Sequence, residues 1–107
     1  MENNELILSI NTELSLSLPE KISYEELHTL LTASINDLIK KDFEKLITYL
    51  YRIDVSEQKL KLLLQQKPGE DAGNIIATLI IERQAQKIKT RKQFSEQNKN
   101  TDPEEKW

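Results

Sequence analysis

The densest hydrophobic stretch of the chain lies at residues 75–81, where Ile75, Ile76, Ala77, Leu79, Ile80 and Ile81 crowd together with only Thr78 between them. At about 100° per residue these side chains point nearly all the way round a helix axis, so that part of the helix must be surrounded by protein. Arg83, Lys87, Lys89, Arg91 and Lys92 follow, with Ile88 and Phe94 as the only large apolar groups. The pattern predicts one long helix over 70–94, buried in its first half and basic in its second. Glu70 and Asp71 put negative charge at its start, where the helix dipole favours it.

Three shorter helices are predicted before it. Ser23 and Glu26 have the S-x-x-E spacing of a capping box, and Ile22 and Leu27 supply the accompanying hydrophobic staple. They open a helix over 23–40 whose stripe is Leu27, Leu30, Leu31, Ile35, Leu38 and Ile39, spaced three and four apart. Asp42 can cap a helix over 42–53 with Phe43, Leu46, Ile47, Leu50 and Ile53 inward, Tyr49 off that face and Tyr51 at its margin. Nothing near Lys40-Lys41 forbids one continuous helix. A turn with Asp54 or Ser56 as cap leads into a helix over 56–66, with Leu60, Leu63 and Leu64 inward. Lys67-Pro68-Gly69 ends it, because Pro68 disfavours the helical conformation at Lys67.

Residues 5–18 read differently. Leu6, Leu8, Ile10, Thr12, Leu14, Leu16 and Leu18 alternate with mostly polar residues, and only Ile7 breaks the period of two. This predicts a β-hairpin, or a single strand, with one face buried. A three-residue loop at Asn11-Thr12-Glu13 pairs Ile10 with Leu14, Leu8 with Leu16 and Leu6 with Leu18, keeping all apolar groups on one side. A helix ranks second, because it would spread Leu6, Leu8 and Leu16 in separate directions. A two-stranded hairpin is marginal in water, so it must lie on the helices or pair with a second copy. After Phe94, residues 95–107 lack periodicity and contain one apolar residue, Trp107, which predicts a disordered tail. The fold class expected is therefore mainly α: a single four-helix bundle-like domain over 1–94 with an N-terminal hairpin or strand.

Composition narrows the function more than the fold. A chain of 107 residues suits one domain. It has no cysteine, which excludes disulfides, thiolate catalysis and cysteine-based metal sites. The first residues are acidic, unlike a secretory signal, and no apolar run approaches the roughly 20 residues that span a bilayer. A cytoplasmic location is expected. The net charge of −3 is unevenly spread, at −5 over residues 1–26 and +4 over residues 82–94. That asymmetry permits a local surface for an acidic partner. A pI near 5.2 argues against a dedicated nucleic-acid binder.

No catalytic, cofactor or metal constellation can be assembled. His28 is the only histidine, and with Glu25 it offers two ligands where a zinc site needs four, so a surface histidine is the better reading. Glu25 and Glu26 are adjacent and diverge on a helix. Residues 68–73 precede a helix start, but they lack a P-loop ending, and Glu70 and Asp71 would repel phosphate. The basic run has the most functional content. Arg83, Lys87 and Arg91 form one stripe, with Lys89 and Lys92 away from it. These residues can contact nucleic acid or an acidic partner, solubilise the helix end, or pair with the acidic N-terminal segment of the same or another subunit.

The segments Tyr51-Arg52-Ile53-Asp54-Val55-Ser56-Glu57, Pro68-Gly69-Glu70-Asp71-Ala72-Gly73 and Ile80-Ile81-Glu82-Arg83-Gln84, through Lys87-Ile88-Lys89-Thr90-Arg91, resemble a family of small uncharacterised proteins from Bacteroidetes-type bacteria. The resemblance covers roughly Leu14 to Phe94. It implies a bacterial, cytoplasmic setting and brings no activity and no catalytic residues. The expectation is a non-enzymatic protein-interaction or homodimerisation module, without membrane attachment or small-molecule substrate. The alternative is a nucleic-acid-associated regulatory protein using the basic end of the last helix.

Overall fold

The computed structural model describes residues 3–66, 69 and 71–101. They form five helices: α1 (Asn3–Leu14), α2 (Tyr24–Lys41), α3 (Phe43–Ile53), α4 (Glu57–Gln66) and α5 (Ala72–Thr101). There is no strand among the described residues. The expected stop at Lys67-Pro68 and the contribution of Glu70 lie outside them, as do residues 102–107 of the expected tail. The Phe94 side chain is outside them as well.

The hairpin expected over 5–18 is replaced by α1 and an irregular segment. Leu6, Ile7, Ile10 and Leu14 are buried, whereas Leu8 is 45% exposed. Positions 6, 10 and 14 are spaced by four, so they satisfy a helix and a period of two equally well. Ile7 and Leu8 discriminate between the two, and they fall on the helical side. Ser15 ends α1 in the left-handed conformation at φ 56°. The Leu16 amide then donates to the Asn11 carbonyl at 3.0 Å, the six-residue closure of a Schellman turn. Beyond it the alternation persists without regular secondary structure: Leu16 and Leu18 pack against the core and Ser17 is exposed. Asn11 fixes that segment, accepting from the Leu18 amide at 2.9 Å and donating to the Leu18 carbonyl at 3.1 Å.

The capping box at Ser23 forms with both hydrogen bonds, Glu26 amide to Ser23 Oγ at 3.1 Å and Ser23 amide to Glu26 Oε1 at 2.9 Å. Leu27, Leu31 and Ile35 are buried, while Leu30 of the predicted stripe turns outward. Asp42 separates α2 from α3 and serves both helices. Its amide closes α2 on the Leu38 carbonyl at 2.8 Å, and its carboxylate accepts from the Lys45 amide at 3.1 Å. On α3 the buried set is Leu46, Tyr49, Leu50 and Ile53. Phe43, expected inside, is 54% exposed, and Tyr49, expected outside, is buried between Lys45 and Arg52. Ser56 caps α4 through the Lys59 amide.

All six apolar residues of 75–81 are buried, as their all-round distribution requires. α5 runs past α1, α2, α3 and α4, and α2 is its most extensive neighbour. A buried Gln84 reaches Ser9 Oγ at 2.9 Å and ties α5 to α1. α5 continues through Ser95 to Thr101, seven residues beyond its expected end. No Gly or Pro interrupts it before Pro103, and the basic second half thus belongs to a longer rod than the apolar pattern alone marks out.

The approach of α2 to α5 explains Gly73. A Cβ there would lie 2.2 Å from Asn36 Oδ1 and 2.5 Å from its Cγ, and the Asn36 amide donates to Asp71 Oδ2 at 2.7 Å. Gly73→Ala should therefore displace the end of the Asn36 side chain and forfeit its bond to Asp71, a cost of about 0.5–1.5 kcal/mol that outweighs the helix preference for alanine at this second position of α5. In an Asn36→Ala background the same change should stabilise. Urea denaturation of the four proteins checks this, and an unchanged sign in the two backgrounds would refute the steric account.

Candidate interaction surfaces

The five predicted contact residues separate into employed and open cations. Arg83 is employed at the end of α3. Its Nε lies 3.4 Å from the Ile53 carbonyl, its Nη2 3.2 Å from Asp54 Oδ2 and its Nη1 3.4 Å from Gln86 Oε1. It sets a cation against carbonyls at the negative pole of that helix. Asp54 sits there in the left-handed conformation, with its amide on the Leu50 carbonyl. Lys92 pairs with Glu5 of α1 at 3.1 Å, the internal pairing with the acidic N-terminal segment that was one of the expected readings. Both partners are substantially exposed, so this pair contributes little to stability.

Lys87, Lys89 and Arg91 make no ion pair among the described residues. Arg83, Lys87 and Arg91 line one open concavity of about 440 Å³ together with Thr90, whereas Lys89 and Lys92 are not part of it. The stripe read from the four-residue spacing is thus one surface, with Arg83 anchored at its inner end. A cavity of about 510 Å³ lies between the end of α3 and α5. Its charges are matched in pairs, Arg83 with Asp54 and Lys59 with Glu82 at 3.6 Å.

His28 links helices instead of standing free on the surface. Its Nε2 lies 2.8 Å from Thr78 Oγ1, and that hydroxyl donates to the Asn74 carbonyl at 3.1 Å. The hydroxyl proton being so used, His28 supplies the Nε2–H that Thr78 accepts. The described residues contain no group of three or more His, Asp or Glu side chains that could hold a metal ion.

A surface that the sequence marks only through Tyr51 lies between α3 and α4. Ile47, Leu50, Tyr51, Val55, Leu60 and Leu64 form an apolar groove of about 210 Å³. Glu57 and Lys61, also on its lining, pair with each other at 3.4 Å. Tyr51 is 74% exposed. None of the leucines of α4 is buried: Leu60 and Leu63 are half-covered, and Leu62 and Leu64 are exposed. The signal was available as a second apolar stripe on α3, at 43, 47 and 51, parallel to the one that the core uses. No protein-family model, curated protein or solved structure matches this chain.

Proposed function

We propose that this chain is a non-enzymatic protein-interaction module that associates with a second copy of itself through the α3–α4 face. The observation that carries the reading is α4, a helix with four leucines in five positions and none of them buried. Leaving so many large apolar groups on one short helix half-covered is costly in water, and burying them against a partner is the ordinary remedy. Tyr51 beside them is the kind of exposed aromatic that anchors interfaces. A two-fold arrangement, in which the same patch meets itself, is the simplest closed assembly.

The reasons differ from those in the sequence. A hairpin with open edges is absent from the described residues, and the apolar half of α5 is covered within one chain. Self-association would therefore join folded subunits and would be reversible. The non-enzymatic reading is supported by the structural employment of His28 and Arg83 and by the paired charges of the cavity between the end of α3 and α5. A bacterial cytoplasmic setting is proposed from the family resemblance and the cysteine-free composition. No helix among the described residues is long and apolar enough to cross a membrane.

Sedimentation equilibrium over a wide concentration range tests the reading. The chain should pass reversibly from monomer to dimer, and Leu62→Glu with Leu64→Glu should leave a monomer with unchanged helicity, because both positions are exposed. A chain that stays monomeric at high micromolar concentration, and brings no protein with it from its host, would sink the proposal.

A further inference from the structure

We infer that the outer half of α5 binds a row of phosphate groups along the concavity of Arg83, Lys87, Thr90 and Arg91, a site separate from the α3–α4 face. The three cations step along one side of the helix by four residues, or about 6 Å of rise each. Such a ladder suits a chain of phosphates better than a single ion. Its members have divided tasks. Arg83 is held by the end of α3 with its charge matched by Asp54 and marks the inner end of the row, while Lys87 and Arg91 make no ion pair among the described residues and are the groups that reach the ligand. Thr90 adds a hydroxyl of the type that commonly bonds phosphate oxygens.

The described lining has no large apolar group. The exposed area of the concavity is mostly the apolar stems of these side chains, and its polar groups are their cationic tips and the Thr90 hydroxyl, a set that suits a polyanion. Residues 89–93 are all exposed, and of their charges only Lys92 is tied back to the bundle, through Glu5, among the described residues. The net charge of −3 limits attraction from the rest of the chain and confines binding to this end. The same row of phosphates is found in a single-stranded nucleic acid and in inorganic polyphosphate.

Fluorescence anisotropy of a labelled single-stranded oligonucleotide with the full chain, measured against salt, tests the site. With two to three phosphates neutralised, the log–log salt slope should be about −1.4 to −2.1. Lys87→Gln with Arg91→Gln should weaken binding at least about tenfold at low salt and flatten the slope. Lys40→Gln with Lys41→Gln, an equal change of charge on α2, should leave it within about twofold, and circular dichroism should match for all three proteins. Inorganic polyphosphate and polyglutamate serve as competitors. Displacement by polyphosphate at lower concentration than by unlabelled oligonucleotide supports the site with polyphosphate as its ligand, and the reverse order supports it with nucleic acid. No binding at low salt, equal losses in the two double variants, or equally effective displacement by polyglutamate would overturn the inference.

Discussion

Ile80→Ala is expected to cost about 3–5 kcal/mol of folding free energy, near the top of the range for a buried isoleucine. Ile80 is fully buried, belongs to the cluster that includes residues of α1, α2 and α3, and lies on α5, which packs against all four other helices. The loss has two parts. Removing the buried methyl and methylene groups forfeits their transfer free energy, and the cavity left behind closes only partly where packed helices cannot move in. A domain of this size has about 5–15 kcal/mol in total, so the variant should approach the edge of folding. Guanidinium denaturation checks it through a large fall in the midpoint at nearly constant slope. Ile80→Val should cost only about 0.5–1.5 kcal/mol, and Leu62→Ala on exposed α4 should stay within about 0.5 kcal/mol. A loss below about 1 kcal/mol for Ile80→Ala would mean that α5 is not the centre of the core.

The all-round apolar run around Ile80 is also where the sequence was easiest to read. Six apolar side chains in seven residues have only one compatible environment, and the structure supplies it. The Ser23–Glu26 box was equally plain, because capping is local chemistry between residues three apart. Difficulty began where one pattern served two structures. On α3 the stripes 46, 49, 50, 53 and 43, 47, 51 are both apolar and both helical in spacing, and nothing in the local sequence says which of them meets the core. The choice is tertiary. It buried Tyr49 and left Phe43 and Tyr51 outside, and Ile47 and Tyr51 of the stripe left over line the candidate interaction face.

Arg83 was hard to assign for a related reason. Its stripe with Lys87 and Arg91 follows from spacing alone, but its bonds to Ile53 and Asp54 join residues about thirty positions apart. No periodicity reports such a contact. The consequence for the basic surface is a division that the sequence could not make, between a cation that locks α3 to α5 and two that remain open to a ligand. His28 followed the same pattern, since its partner Thr78 is fifty residues away. Short-range chemistry was legible, and chemistry across the core required the fold.

Ile7 and Leu8 give the sharpest test of the corrected N-terminal region. In a hairpin with the even positions inward, Leu8 would be buried opposite Leu16 and Ile7 would face solvent. In α1 the assignments reverse, with Ile7 fully buried and Leu8 45% exposed. Ile7→Ala should therefore cost about 2–5 kcal/mol, and Leu8→Ala about 0.5 kcal/mol or less. Substitution at Leu6, Ile10 or Leu14 cannot separate the two folds, because each position is inward in both. The neighbouring pair can, since a period of two and a period of 3.6 place positions 7 and 8 oppositely. Thermal unfolding by circular dichroism suffices, because each kcal/mol shifts the midpoint of a domain of this size by about 4–8 °C. A larger loss at Leu8 than at Ile7 would restore the strand reading. The expected order also bears on Gln84, whose bond to Ser9 requires that the stretch from Ile7 to Ile10 turn as a helix, with Ser9 towards α5. Ser9→Ala should add a further loss of about 1–3 kcal/mol by leaving the buried Gln84 amide without that partner.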